Sequence, residues 1–157
     1  MKLLTILGVS VGASLIAVII LFVVKAMDSK QGEAPGLVGQ QLAACSPKPN
    51  CVNSETGTPS DKKVAPFSLT PGQTEQDWSR LQASIKLQGG ELIEVKTGYL
   101  AATFTSSLFG FVDDLEARID EQNAVIQIRS ASRVGTSDFG ANRIRVEQLR
   151  QRYEAKP

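Results

Sequence analysis

From Leu3 to Val24 the chain carries no charge and only three hydroxyl side chains, Thr5, Ser10 and Ser14. That run constrains everything after it. At 1.5 Å of rise per residue, about 20 residues cross a hydrocarbon core of about 30 Å. A helix lying on a soluble core would show a polar face, and this one has none. A cleaved signal peptide would have a shorter apolar region with small residues close behind it. Here Lys25, Ala26, Met27 and Asp28 follow. Residues 1–25 therefore read as a transmembrane signal anchor, and the lipid bilayer is the expected partner of Leu3–Val24.

Which side the rest of the chain occupies is not set by charge. Lys2 precedes the run and Lys25 and Lys30 follow it, so the positive-inside rule gives no answer. The cysteines are more informative. Cys45 and Cys51 enclose Ser-Pro-Lys-Pro-Asn, and no other Cys exists. Two thiols without a His cannot close a four-ligand zinc site, and a redox CxxC pair is spaced more closely. Two prolines pre-bend the loop toward a small disulfide ring, whose closure stabilises by about 2–2.5 kcal/mol in the chain-entropy model. Disulfides persist on the oxidising side of a membrane. The soluble part is expected outside the cytoplasm; reduced thiols in a cytoplasmic loop are the alternative. Leu42-Ala43-Ala44-Cys45 has the letters of a lipoprotein cleavage box but lies far downstream of the apolar run. No lipid is expected on Cys45.

Composition excludes several functions. A net charge of +1 gives no field for nucleic acid. The absence of His removes Ser-His-Asp and Cys-His mechanisms and the commonest metal ligand. No cofactor, metal site or catalytic set is expected.

Residues 26–44, with their Gly, Gln, charges and Pro35, read as a flexible linker, and 45–157 as a soluble domain. Cys45–Asp61 is a Pro-rich loop, and Val64–Leu69 a short edge strand limited by Pro66. Thr74 opens a helix through a Thr-Glu-Gln-Asp capping box. Trp78, Leu81 and Ile85 share one face of it, and Gly89-Gly90 ends it. Four strands follow at Glu91–Val95, Tyr99–Ser107, Phe111–Asp120 and Ala124–Ser132, joined by turns short enough only for antiparallel neighbours. Alternation puts Phe111, Leu115, Ala117, Ile119, Ile126 and Ile128 on the core face. Asp113 falls on that face and needs a partner such as Arg143 or Arg145. Asp114, Glu116, Arg118, Arg129 and Arg133 fall on the other, polar and partly solvated face. Ser137 or Asp138 caps a last helix whose stripe is Phe139, Val146, Leu149 and Tyr153. The expected fold is α+β: a four-stranded antiparallel meander sheet with two helices on one face, plus an N-terminal transmembrane helix.

Cations concentrate where the last strand hands over to the last helix. A helix N-terminus offers unpaired N–H groups and partial positive charge. Arg129, Arg133, Gly135, Thr136, Ser137 and Arg143 are the candidate anion-binding residues, with Asp138 competing for the same N–H groups. A ladder of cross-strand ion pairs is the alternative reading of these arginines.

Several segments resemble one family taken together. They are Cys45-Ser46-Pro47-Lys48-Pro49-Asn50-Cys51-Val52, Gly98-Tyr99-Leu100, Phe109-Gly110-Phe111-Val112-Asp113-Asp114, and Ile128 to Gly135 with Ser137-Asp138 and Asn142-Arg143. This is similar to an uncharacterised family of domains of unknown function, number 1499, over about Leu42 to Tyr153. Ser46 departs from the Pro the family more often has after the first Cys. The resemblance implies fold and boundaries, often behind a signal or membrane segment, and no chemistry. The resulting expectation is a membrane-anchored extracytoplasmic binding or interaction module. Its partner would be an unknown envelope protein, an anion or an anionic envelope component. A hydrolase-type envelope enzyme using carboxylate or Ser/Lys chemistry is one alternative, and a structural partner of another membrane protein is the other.

Overall fold

The structure, a computed structural model, describes residues 2–155, with side chains from residue 11 onward. Met1, Lys156 and Pro157, the extreme ends of the expected anchor and domain, lie outside the described residues. The apolar run forms α1, Lys2–Gln31. Its part from Val11 to Gln31 is long and apolar enough to cross a membrane and is almost wholly uncovered by protein. It fits a single-pass anchor or a signal sequence.

Short strands β1 (Leu37–Val38) and β2 (Gln41–Leu42) pair as a small hairpin. Then come β3 (Cys51–Asn53), β4 (Phe67–Ser68), α2 (Thr74–Leu87), β5 (Glu91–Lys96), β6 (Tyr99–Thr105), β7 (Val112–Asp120), β8 (Val125–Ser132) and α3 (Ala141–Glu154). The fold is α+β, and the expected meander β5-β6-β7-β8 is present and antiparallel. The sheet has six strands rather than four. β3 and β4 both add to β8, against Arg129–Ala131 and Val125–Ile126 respectively. The Pro-rich loop supplies β3 because its disulfide, Cys45–Cys51, ends where the strand begins.

Helices α2 and α3 share one face of the sheet. Trp78, Leu81 and Ile85 from α2 and Val146, Leu149 and Tyr153 from α3 form one cluster with Leu100, Ala102, Leu115, Ala117, Ile126 and Ile128. Leu81, Ile85, Leu100, Leu115, Ile126, Ile128, Val146 and Leu149 are fully buried, and each such large side chain contributes about 1.5–3 kcal/mol. Gly90, after α2, has no room for a side chain: a Cβ there would lie 2.6 Å from the Phe104 ring and 2.7 Å from Ile85.

Three local expectations change. The N-cap of α2 is Gln73, without a side-chain hydrogen bond. Asp77 leaves the expected capping box and is fully buried, accepting from the Thr70 N–H and pairing with Arg80 at 2.8 Å. Phe139 leaves the α3 stripe and is 96 % exposed, because it sits in a turn before the helix with φ of 52°. Over β7 and β8 the second face of the sheet is largely covered rather than solvated, while towards β5 it stays open at Ile93 and Thr105. The stretch 26–44, expected as a linker, is seated on it together with the disulfide loop. Ser29 Oγ accepts from the Val112 N–H at 3.0 Å, Gly36 N–H donates to Glu116 at 2.8 Å, and Leu42 packs on Tyr99 and Ala101.

Candidate functional site

The covered part of the second face is a charged layer, mostly buried, with Arg118 and Arg133 at its edges partly exposed. Glu116 and Arg129 are direct cross-strand partners, and Arg129 Nη1 donates to Glu116 Oε2 at 2.8 Å. Glu116 is fully buried and also accepts from Tyr99 Oη at 3.0 Å. Arg133 grips both oxygens of Asp114, at 2.7–3.0 Å, and donates to the Ser29 carbonyl at 3.1 Å. Arg118 takes Glu55 at 2.6 and 2.9 Å and Asp120 at 3.2 Å. Burial pushes the Glu116 carboxyl above its ordinary value, and Arg129, Tyr99 and Gly36 draw it back only in part. Burial, then the neighbouring Glu116 charge, pushes the Tyr99 hydroxyl up as well. Both shifts follow from the same cause: low polarizability around a charge favours its neutral form.

Behind the other face, Asn142 ties four segments together. It is fully buried in the first turn of α3. Its amide nitrogen donates to the Asn50 carbonyl, the Ser132 hydroxyl and the Asp138 carboxylate, at 3.1, 3.0 and 2.8 Å. Its carbonyl oxygen accepts from Ser130 and Arg145. Arg145 in turn reaches Asp113 at 2.6 Å, so Asp113 has the structural cationic partner its place on the core face requires.

The β8–α3 turn, 133–140, does not gather the expected cations. Arg129 and Arg133 lie on the covered face with their carboxylates. Arg143 points to the loop before β4, donating to the carbonyls of Asp61 and Lys63 at 2.7 and 2.8 Å. The Gly135 carbonyl accepts from Asn50, Thr136 is exposed, and Ser137 Oγ accepts from the Phe139 N–H. Arg133 and Arg143 part because each finds acceptors inside the fold before it could meet an outside anion. The helix N-terminus is likewise occupied: Asp138 accepts from the N–H groups of Gly140 and Asn142 at 3.0 and 2.8 Å.

Burial alone would raise the Asp138 carboxyl; the N–H groups of Asn142 and Gly140 and the Asn142 amide together hold it below its usual value. A depressed carboxyl contributes stability that is complete above its unfolded value, about pH 4, and lost as pH falls through the folded one. Asp138→Ala should therefore cost about 1 kcal/mol at neutral pH and progressively less below about pH 4. Urea unfolding at several pH values checks this. A deficit that stays constant into acid would contradict it.

What the turn does line is a cavity of about 540 Å³ between α1 and the domain. Leu21, Phe22, Phe111, Val134 and Phe139 supply its apolar wall, and its polar groups include Lys25, Ser132, Ser137 and two carboxylates, Asp113 and Asp138, already engaged by Arg145 and by the N–H groups of Gly140 and Asn142. Phe22 holds the two together: its ring lies 5.0 Å from Phe109 and 6.1 Å from Phe111. A family model described as "Protein of unknown function (DUF1499)" matches residues 41–152. The chain belongs to that family. No curated protein and no solved structure matches the chain. The DUF1499 match takes in β2, the whole six-stranded sheet and nearly all of α3, hence the arginine–carboxylate pairs of β7 and β8, Asn142 and the domain's half of the cavity. The cavity's other wall comes from α1, which lies before the match.

Sequence reasoning placed Phe111 and Phe139 in the core and missed their role as cavity wall. A signal was present. Phe111 directly follows Gly110 and Phe139 directly precedes Gly140, and the two glycines have φ of 73° and 83°. An aromatic ring beside a turn glycine sits at the end of an element, where the core face has already run out.

Proposed function

We propose that the protein is a membrane-anchored binding module, with its α+β domain on the extracytoplasmic side and its ligand seat between α1 and the β8–α3 turn. The observation that carries this reading is the cavity of about 540 Å³, within the size range of small-molecule sites and walled mainly by apolar side chains. The Cys45–Cys51 disulfide supports the oxidising side. Leu21 and Phe22 belong to the apolar run, so a ligand reaches the cavity from the level of the bilayer. An amphipathic molecule with an apolar body fits these walls. The anionic end of such a molecule would meet the Lys25 ammonium, since Arg129, Arg133 and Arg143 are already engaged. A carboxylate-based hydrolase is less well supported, because Arg133 holds both oxygens of Asp114.

The test uses the full chain in lipid nanodiscs and a fluorescent single-chain fatty acid. Saturable binding is expected, and Val134→Trp, which fills the cavity, should abolish the saturable part. Equal partitioning into empty discs, wild type and Val134→Trp would overturn the reading.

A further inference from the structure

We infer that the apolar tip formed by Leu108, Phe109 and Phe139 enters the lipid surface beside α1, so that the bilayer itself grips the domain at one end. This goes beyond a ligand seat but rests on the reading of α1 as a membrane anchor. Phe22 lies two residues inside the end of the apolar run at Val24. Its ring touches Phe109 and Phe111, which sets the 106–111 turn level with the lipid-facing part of the helix. At that level Leu108 is 82 % exposed and Phe139 96 % exposed. Large apolar side chains so bare at turn tips, beside a helix of this composition, match the chemistry of an acyl-chain boundary.

Phe139 also holds a left-handed backbone, φ of 52°, a conformation aromatic residues rarely adopt. The domain's own core does not use the ring that results. The surrounding cations fit the same depth. Lys25 opens the polar side of the helix, and the Lys30 ammonium lies 3.6 Å from where a side chain on Gly110 would begin. Lysines there can reach phosphate groups of lipid heads. The far end of the β7–β8 hairpin is the opposite in character: Glu121-Gln122-Asn123, polar throughout. Strand β7 separates the two ends by its nine residues, about 30 Å. The domain therefore stands with the strand ends at 106–111 and 132–141 toward the membrane and the Glu121–Asn123 turn away from it.

The experiment is quenching by lipids brominated on the acyl chains, with the full chain reconstituted in phosphatidylcholine–phosphatidylglycerol vesicles. Trp78, 5 % exposed in the core, provides a constant background. Tryptophan is introduced singly as Leu108→Trp, Phe139→Trp, Gln122→Trp and Leu15→Trp. The expected result is loss of emission and a blue shift for Leu108→Trp and Phe139→Trp, with Gln122→Trp unquenched and red-shifted. Quenching of Leu15→Trp without Leu108→Trp and Phe139→Trp would leave the anchor standing and overturn the tip. No quenching of Leu15→Trp would overturn the anchor and the tip together. Equal quenching of Gln122→Trp would overturn the orientation, and with it the inference.

Discussion

Arg129→Met should destabilise the fold by about 3–5 kcal/mol at neutral pH, because it leaves the Glu116 carboxylate buried without its cation. Glu116 has no exposure to solvent, and what remains around it is the Tyr99 hydroxyl and the Gly36 N–H. Its folded carboxyl already titrates above the ordinary value. For a group raised in this way, the contribution to stability is complete below the unfolded value, about 4.3, and is lost as pH rises through the folded one. Removing Arg129 raises the folded value further. The deficit should accordingly be greatest near neutrality and shrink as pH falls toward about 4. Adding Glu116→Gln to Arg129→Met should recover most of the loss at neutral pH, since an amide keeps an acceptor for Tyr99 and carries no charge. Urea unfolding of the full chain in detergent, followed by Trp78 fluorescence, measures all of this. A deficit indifferent to both pH and the second substitution would show that the pair is not what Arg129 is for.

Asn142→Leu should cost at least about 3 kcal/mol, from several buried groups losing partners at 1–3 kcal/mol each. The shape is nearly kept, so the loss is of hydrogen bonds rather than volume. The Asn50 carbonyl and the Ser130 and Ser132 hydroxyls lose a partner each, and Arg145 loses one of its three acceptors. Asn142→Asp should be as damaging by a different route, since a carboxylate would face Asp138, which now accepts from the amide at 2.8 Å. Against a typical domain stability of about 5–15 kcal/mol, either change removes a large share. Ser130→Ala, which removes only the hydroxyl, should cost about 1 kcal/mol. If Asn142→Leu and Ser130→Ala unfold at the same urea concentration, the amide is not the hub described.

How much of this was legible beforehand depends on the range of the interaction. Alternation in Val112–Asp120 and Val125–Ser132 fixes which side chains face together, so the strands, their order and the ion-pair ladder could be read from spacing alone. Trp78, Leu81 and Ile85 identify the buried side of α2 in the same way. The partner of Asp113 could be narrowed to Arg143 or Arg145, the arginines of the first turns of the last helix. What local pattern could not supply was the return of the chain. Nothing in Glu33 to Leu42, read by itself, says that Gly36 will donate to Glu116 or that Leu42 will cover Tyr99. A face with Glu and Arg at alternate positions therefore read as wet, although it is buried. Asn142 was invisible for a related reason. An Asn in a first helical turn is usually solvated, and its five partners come from residues 50, 130, 132, 138 and 145. The arginines around the β8–α3 turn read as one concentration of charge, but they diverge to separate acceptors that lie up to 104 residues away in sequence.

The two short strands on β8 have a consequence for how copies of this protein meet. A long flat strand at the margin of a sheet recruits others by its free backbone groups. Here that margin is broken into three residues of β3 and two of β4, too few to template an intruder. At the opposite margin β5 slips register between Leu92 and Glu94 and carries Glu91, Glu94 and Lys96. Where copies crowd side by side, a sheet guarded at both borders can endure that crowding without polymerising.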